Sequence, residues 1–227
     1  DDLASSENLT LKALEKGGSD GAIVINMAEI AMAGADRTDG KKKLKSAHEM
    51  MEAYLNVAKD YEQEVLIQDA RVLTMLERHG QAEKKIEQFL DIDPESTDLH
   101  LRDWQVYRGR ASWGLLVETL RKTVNILPSS PRLNGALGLA MYRGREKLDG
   151  AQSVEQALAQ APRDPLMMAL AGWIEIKLGR RDAGVTNIRQ AALMPENRFK
   201  LPHILQGRVC QEEKDWACAK RSWEIVL

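Results

Sequence analysis

Apolar residues recur at helical spacing in paired segments along the carboxyl-terminal two thirds of this 227-residue chain. Between residues 165 and 198, each of two segments carries its apolar residues at intervals of three and four positions. They are Leu166, Ala169, Leu170, Trp173 and Ile176, and then Val185, Ile188, Ala191 and Ala192. Asp164, before Pro165, is suited to cap the first helix, and Asp182 is suited to cap the second. The pattern predicts a helical hairpin with a turn at residues 179–181.

Four prolines repeat at a nearly constant interval. Pro94, Pro128, Pro162 and Pro195 are 34, 34 and 33 residues apart, and the step from Pro131 to Pro165 is again 34 residues. A fixed period of this length is typical of solenoids built from stacked repeats. The third repeat follows the same plan as the fourth, with Ser130 before Pro131 and a turn near Gly144. The period predicts helical hairpins at residues 63–96, 97–130, 131–164 and 165–198, with a partial fifth at 200–227.

Small residues stand at matching positions of these predicted hairpins, where two helices must approach closely. They are Ala70, Gly138, Gly172 and Gly207 in the first helices, and Ala82, Gly150, Gly184 and Ala219 in the second. Four positions after the small position of each second helix stands a large apolar residue, which is predicted to fill the seam between units. These residues are Ile86, Leu120, Val154, Ile188 and Trp223.

With this period and these small residues, the chain from about residue 63 to 227 resembles the tetratricopeptide repeat (TPR) family. That family has small residues at the eighth and twentieth positions of a 34-residue unit and proline near the thirty-second. The unit 97–130 departs from the pattern, because Trp104 and Leu116 occupy its small positions. The resemblance implies an all-α fold, a right-handed superhelical solenoid of stacked antiparallel helix-turn-helix repeats.

Residues 1–62 precede the first predicted repeat and need a separate interpretation. Residues 22–35 and 44–58 have amphipathic spacing and are separated by a polar loop at 36–43. They predict an irregular helical hairpin, an amino-terminal cap or a divergent repeat. A further short helix is predicted over residues 3–16.

Charge is distributed unevenly, although the net charge is only −2. Residues 1–96 hold 12 basic and 20 acidic residues, a net of −8, whereas residues 97–227 hold 20 and 14, a net of +6. The nearly neutral net charge argues against nucleic acid as a partner. The sequence contains no run of about 18 apolar residues, so we predict no membrane insertion.

Because the chain starts at Asp1 and stops within a predicted helix, we expect a fragment of a longer protein. Both a periplasmic and a cytoplasmic location stay open.

The TPR resemblance also implies a partner-binding groove along the first helices of the hairpins. Its positions carry over to Arg71, Gln105, Arg108, Arg132, Tyr142, Arg143, Trp173, Lys177 and Arg208. Arginine can bind carboxylates with two hydrogen bonds, and aromatic rings offer apolar area, so we expect a protein or peptide partner with acidic and apolar residues. The alternative is that these residues are solvated arginines and packing aromatics. The Lys and Asn of the carboxylate clamp that binds chaperone tails are absent, since Ile67 and Arg71 hold those positions.

Two cysteines, Cys210 and Cys218, flank the predicted turn of the last hairpin. Their side chains can face each other across that hairpin, which makes a disulfide feasible. Such a bond would indicate an oxidising compartment such as the bacterial periplasm. Two reduced, buried thiols are an equally ordinary alternative.

The sequence carries no signature of catalysis. The histidines are scattered over different predicted units, and the segment that begins with His48 and Glu49 lacks the second histidine of a helical zinc site. We interpret that segment as a solvated helix face. We therefore predict a chain that is not an enzyme and binds no metal and no cofactor.

The leading hypothesis is a scaffold or adaptor that binds a partner peptide or protein through the groove. By family resemblance, bacterial proteins of this kind often work in secretion, pilus or polysaccharide-export assemblies. One alternative is structural stacking or self-association through the last repeat, where Ala219, Trp223, Ile225 and Val226 lack a polar cap. A more distant alternative is a regulatory segment of a larger enzyme.

Overall fold

The computed structural model describes residues 21–57, 62–95, 112–144, 146–195 and 197–227. The elements found in these residues are all α-helices, which confirms the predicted all-α fold. They are α1 (Gly21–Ala33), α2 (Gly40–Val57), α3 (Glu62–Met75), α4 (His79–Leu90), α5 (Ser112–Val124), α6 (Pro131–Arg143), α7 (Lys147–Gln160), α8 (Pro165–Lys177), α9 (Arg181–Leu193), α10 (Lys200–Glu212) and α11 (Trp216–Val226). The helix predicted at residues 3–16 lies outside the described residues.

The chain forms two compact units, residues 1–89 and 90–227. In the first unit, α1 and α2 form the predicted amino-terminal hairpin, although α2 begins four residues earlier than predicted. Both helices pack against α3, and the three enclose one apolar core. Because α3 contributes Val65 and Val72 to that core, it shares a unit with the helices before it. The predicted beginning of the solenoid at residue 63 stays a prediction.

In the second unit, consecutive helices pair as the sequence predicts. The pairs are α6 with α7, α8 with α9 and α10 with α11, and the first helices α6, α8 and α10 contact one another in succession. The predicted caps of α6 and α8 are confirmed. Ser130 Oγ accepts a hydrogen bond from the Leu133 amide at 3.2 Å, and Asp164 accepts from the amides of Leu166 and Met167 at 2.9 and 3.2 Å.

The predicted cap of α9 is wrong. The helix begins at Arg181, the preceding Arg180 makes no side-chain cap, and Asp182 already lies within the first turn. Gly179 has a φ of +84°, a left-handed conformation that glycine adopts without strain. The chain therefore reverses direction at Gly179, and the next helix starts before Asp182.

Glycines bring the two helices of a hairpin into direct contact. A Cβ atom at Gly172 would lie 2.6 Å from the carbonyl oxygen of Gly184, and one at Gly184 would lie 2.4 Å from that of Gly172. Ile188 covers this contact, since its Cγ1 would be 2.9 Å from a Cβ at position 172. The pair Gly138 and Gly150 repeats the arrangement. The large apolar residue thus packs on the glycine of its own hairpin.

The last hairpin joins α10 to α11. In the structure, the sulfurs of Cys210 and Cys218 are bonded across it, with the Cα atoms 5.8 Å apart. Ala219 is buried, and Trp223 packs on Gly207 of the same hairpin. Ile225 stays 59% exposed, however.

Among the helices described, none combines the length and the apolarity needed to cross a membrane.

Candidate functional site

Five of the predicted groove residues come together on the first helices of the second unit. Tyr142 and Arg143 end α6, Trp173 and Lys177 lie in the carboxyl-terminal half of α8, and Arg208 lies in α10. We call these five residues the basic face. They are neighbours because α6, α8 and α10 contact one another in succession.

Trp173 is the centre of the basic face. Its ring and that of Tyr142 form a T-shaped pair with a centroid distance of 5.7 Å and an interplanar angle of 73°. Arg143 Cζ and Lys177 Nζ lie 5.9 and 5.8 Å from the Trp173 centroid, and Arg143 Cζ also lies 5.5 Å from the ring of Trp113. These distances allow cation–π attraction. Since Trp173 and Tyr142 are only 3% and 7% exposed, their rings position cations and offer a partner little open apolar area.

Acidic residues of the chain itself are bound to the basic face. They belong to residues 91–95, which follow α4 and are called here the acidic segment. Arg208 binds Asp93 with both terminal nitrogens, and its Nη1 lies 2.8 Å from Asp93 Oδ1. The same Nη1 lies 3.2 Å from Glu95 Oε2. One guanidinium thus holds two carboxylates, a geometry that favours arginine over lysine.

Glu95 is bound from a second direction by α8. Lys177 Nζ lies 2.6 Å from Glu95 Oε1, and the indole nitrogen of Trp173 donates to the same oxygen at 3.1 Å. The acidic segment therefore uses the cation and the only polar atom of the tryptophan side chain together.

Asp91 extends the contact to the beginning of α10. Its Oδ1 accepts a hydrogen bond from the backbone amide of Leu201 at 2.8 Å. Leu201 lies in the first turn of α10, where free amides and the helix dipole favour a negative charge. Three carboxylates at alternate positions, those of Asp91, Asp93 and Glu95, are thus bound by one surface.

The electrostatics agree with this geometry. Burial by itself would raise the pKa of Glu95, but the hydrogen bonds from Lys177 and Trp173 and the charges of Lys177 and Arg208 outweigh burial and hold this pKa below its usual range. Burial lowers the pKa of the Arg143 guanidinium, while the nearby carboxylates of Glu95 and Asp93 act in the opposite direction. The acidic segment thus supplies negative charge to a partly desolvated cation.

Two further predicted groove residues, Arg71 and Arg132, form ion pairs of their own. Arg132 pairs with Asp164 at 2.6 Å (Nε to Oδ2), and its Cζ lies 5.5 Å from the ring centroid of Phe199. Arg71 belongs to the other compact unit, where its Nη1 lies 3.2 Å from Glu29 Oε1. Gln105 and Arg108 lie outside the described residues. For Arg71 and Arg132, the structure thus shows intramolecular ion pairs.

The first unit contains a separate group of charged residues. His48 Nδ1 lies 2.6 Å from Oδ1 of Asp69, a residue with no exposed surface, and burial raises the pKa of Asp69 although the contact with His48 opposes this. The interpretation of the His48 segment as a solvated face is therefore wrong at His48 itself, because α3 brings Asp69 against it. Lys85 pairs with both Glu52 and Asp69.

This group also has the composition of a metal site. One ligand atom each from His48, Glu52 and Asp69 fall within 4.8 Å of one another. The ammonium group of Lys85 already supplies a positive charge to the two carboxylates, at 3.4 Å from Asp69 Oδ2. We therefore describe the group as a partly buried ion cluster.

Sequence reasoning missed the acidic side of the candidate site and Trp113. The alternation of Asp91, Asp93 and Glu95 around Pro94 is visible in the sequence. Their partners, however, lie 78 to 115 positions further along the chain. No local pattern connects positions so far apart, and stacked repeats are expected to contact only their neighbours.

Comparison with known proteins gives a limited result. No family model matches the sequence, and no curated protein matches it significantly. Similar solved structures include the carboxyl-terminal part of a TPR repeat-containing protein from Cytophaga hutchinsonii, at 13% identity over 100% of this chain and 90% of that chain, with a TM-score of 0.39. MamA from Desulfovibrio magneticus has 17% identity over 73% and 93% of the two chains, with a TM-score of 0.34.

The human IFIT1 dimer with PPP-AAAA is another similar structure, at 19% identity over 99% of this chain, with a TM-score of 0.44. The chain spans about half of the IFIT1 chain, 54% of its length. At these identities and scores, the similarity does not extend to a ligand, a partner or an activity.

Proposed function

We propose that the second unit is a non-catalytic protein-interaction module that binds an acidic segment of a partner protein through the basic face. One observation carries the proposal. The basic face binds carboxylates in the folded chain, through Arg208, Lys177 and the indole of Trp173. The same donors can bind the carboxylates of another polypeptide, because recognition needs only the charge and the hydrogen-bond geometry.

Charge distribution supports this proposal. The three cations Arg143, Lys177 and Arg208 come from three successive first helices and converge on one surface. Two of them lie against Trp173, which limits their freedom before a ligand binds. A preorganised site loses less side-chain entropy on binding.

An array of synthetic peptides tests the proposal. Peptides with paired Asp or Glu residues are compared with peptides in which these residues are Asn or Gln. Wild-type protein should prefer the acidic set, and the preference should weaken with added salt, which screens charge. The variant Arg208→Ala with Lys177→Ala should lose the preference. Arg180→Ala, which removes only an exposed pair with Glu155, should keep it. Equal binding to both peptide sets would reject the proposal.

A second candidate function is self-association through α11. Trp216 and Ile225 are 66% and 59% exposed on this helix, which is unusual for residues so apolar. Sedimentation of wild-type protein should then show dimers or larger species, and Trp216→Ser with Ile225→Ser should give monomers. A wild-type monomer at high concentration would exclude this candidate.

A further inference from the structure

We infer that the acidic segment, residues 91–95, is an internal occupant of the basic face, and that a partner binds there by displacing it with carboxylates of the same alternate spacing. The inference rests on the proposed function and adds the pattern that the face recognises. It also implies that the free protein is partly blocked.

The pattern follows from which donors each carboxylate uses. Asp93 uses the guanidinium of Arg208, Glu95 uses Lys177 and Trp173, and Asp91 uses the amide of Leu201. The donors come from side chains of α8 and α10 and from the first turn of α10. An occupant with acidic residues at positions i, i+2 and i+4 therefore matches the face.

The contact is not one that the repeat architecture requires. In a repeat array, each hairpin is stabilised by its neighbours. The acidic segment instead contacts α8 and α10 across 78 to 115 positions of sequence. Arg208 and Asp93 are 31% and 14% exposed, and Lys177 and Glu95 are 44% and 34% exposed. Since water reaches these pairs, an incoming carboxylate can replace them one at a time.

Competition within one chain has a predictable size. A segment that belongs to the same chain as its site can reach an effective concentration on the order of millimolar. It therefore weakens the binding of a free peptide of roughly 100 µM affinity about ten-fold. Removing the charges of the acidic segment should therefore raise the affinity for the free peptide about ten-fold.

The test uses the full chain and a fluorescein-labelled peptide with the sequence of residues 88–97. Asp93→Asn with Glu95→Gln removes two charges from the acidic segment at nearly constant shape. The control, Glu155→Gln with Glu213→Gln, removes two charges from exposed pairs with Arg180 and Arg189. By fluorescence anisotropy, the first variant should bind the peptide about ten times more tightly than wild type, and the control should bind like wild type. Adding Arg208→Ala to the first variant should cancel the gain.

The outcomes separate this inference from the proposed function. If wild type and the first variant bind equally, and Arg208→Ala weakens both, the proposed function stands and the internal occupant is rejected. If neither folded protein binds the peptide, both are rejected. Circular dichroism verifies folding. Should the first variant not fold, hydrogen exchange of wild type decides. Saturating peptide should accelerate exchange of the backbone amides of residues 91–93 and 95, and unchanged exchange overturns the inference.

Discussion

Replacing Gly172 with alanine tests how closely α8 and α9 must approach. The new Cβ would lie 2.6 Å from the carbonyl oxygen of Gly184, about 0.8 Å short of the 3.4 Å at which ordinary contact begins. The obstacle is backbone, so it cannot turn aside as a flexible side chain does. The two helices must separate, and Ile188 then loses part of its packing.

The magnitude comes from two opposing terms. Overpacking a close contact of this kind costs about 2–3 kcal/mol. Alanine gains about 1 kcal/mol over glycine inside a helix. The net loss of unfolding free energy should therefore be about 1–2 kcal/mol. Gly114→Ala is the matched control, since a Cβ at Gly114 in α5 meets nothing within 4 Å. It should be neutral or stabilising by about 0.5 kcal/mol.

Urea unfolding followed by far-ultraviolet circular dichroism measures both variants. The midpoint should fall for Gly172→Ala and stay level or rise for Gly114→Ala, while the slope against urea stays that of wild type. A midpoint for Gly172→Ala equal to or above that of Gly114→Ala would refute the close-contact reasoning. Such a result would mean that the hairpin accepts a Cβ atom at position 172 without separation of its two helices.

Four further predictions address the caps, the ion cluster, the disulfide and the pH response. Asp164→Ala removes the cap of α8 and the pair with Arg132, and urea unfolding should show a loss of about 1–2 kcal/mol. Lys85→Met leaves the buried Asp69 with less opposing charge and should cost about 3 kcal/mol, most of which Lys85→Met with Asp69→Asn should recover; no recovery would contradict the ion cluster. Cys210→Ser with Cys218→Ser opens a short loop and should cost about 2–3 kcal/mol by thermal unfolding, while wild type should change mass on reduction and alkylation. Because the pKa of Glu95 is lowered in the folded protein, ionised Glu95 should stabilise the folded state fully above about pH 4.3. This contribution to the free energy of unfolding should be lost as the pH falls through the lower folded pKa. The stability difference between wild type and Glu95→Gln should therefore shrink in acid, and a constant difference would exclude this linkage.

The sequence predicted the helices and their local contacts well, because these depend on neighbours along the chain. Ser130 and Asp164 cap the helices that follow them, and Gly172 meets Gly184 as the small-residue pattern requires. The proline period fixed which residues belong to the first helices. The TPR resemblance implied that these first helices line one surface, and in this register that surface includes Trp173, Lys177 and Arg208.

The prediction was less accurate where a residue's surroundings come from distant parts of the chain. Arg132 has the expected position but pairs with Asp164, the cap of the next hairpin. His48 was expected in solvent, yet α3 places the buried Asp69 beside it. In both cases the sequence shows the charge but not the partner.

By itself, the sequence determined the all-α fold, the helical pairs of the second unit and the identity of the cations on its first helices, since helical periodicity, caps and close-packed glycines are encoded within a few residues. Only the tertiary structure decided that Asp93 and Glu95 bind these cations. The path of the chain brings segments 78 to 115 positions apart together, and charge alone does not select among the many carboxylates available.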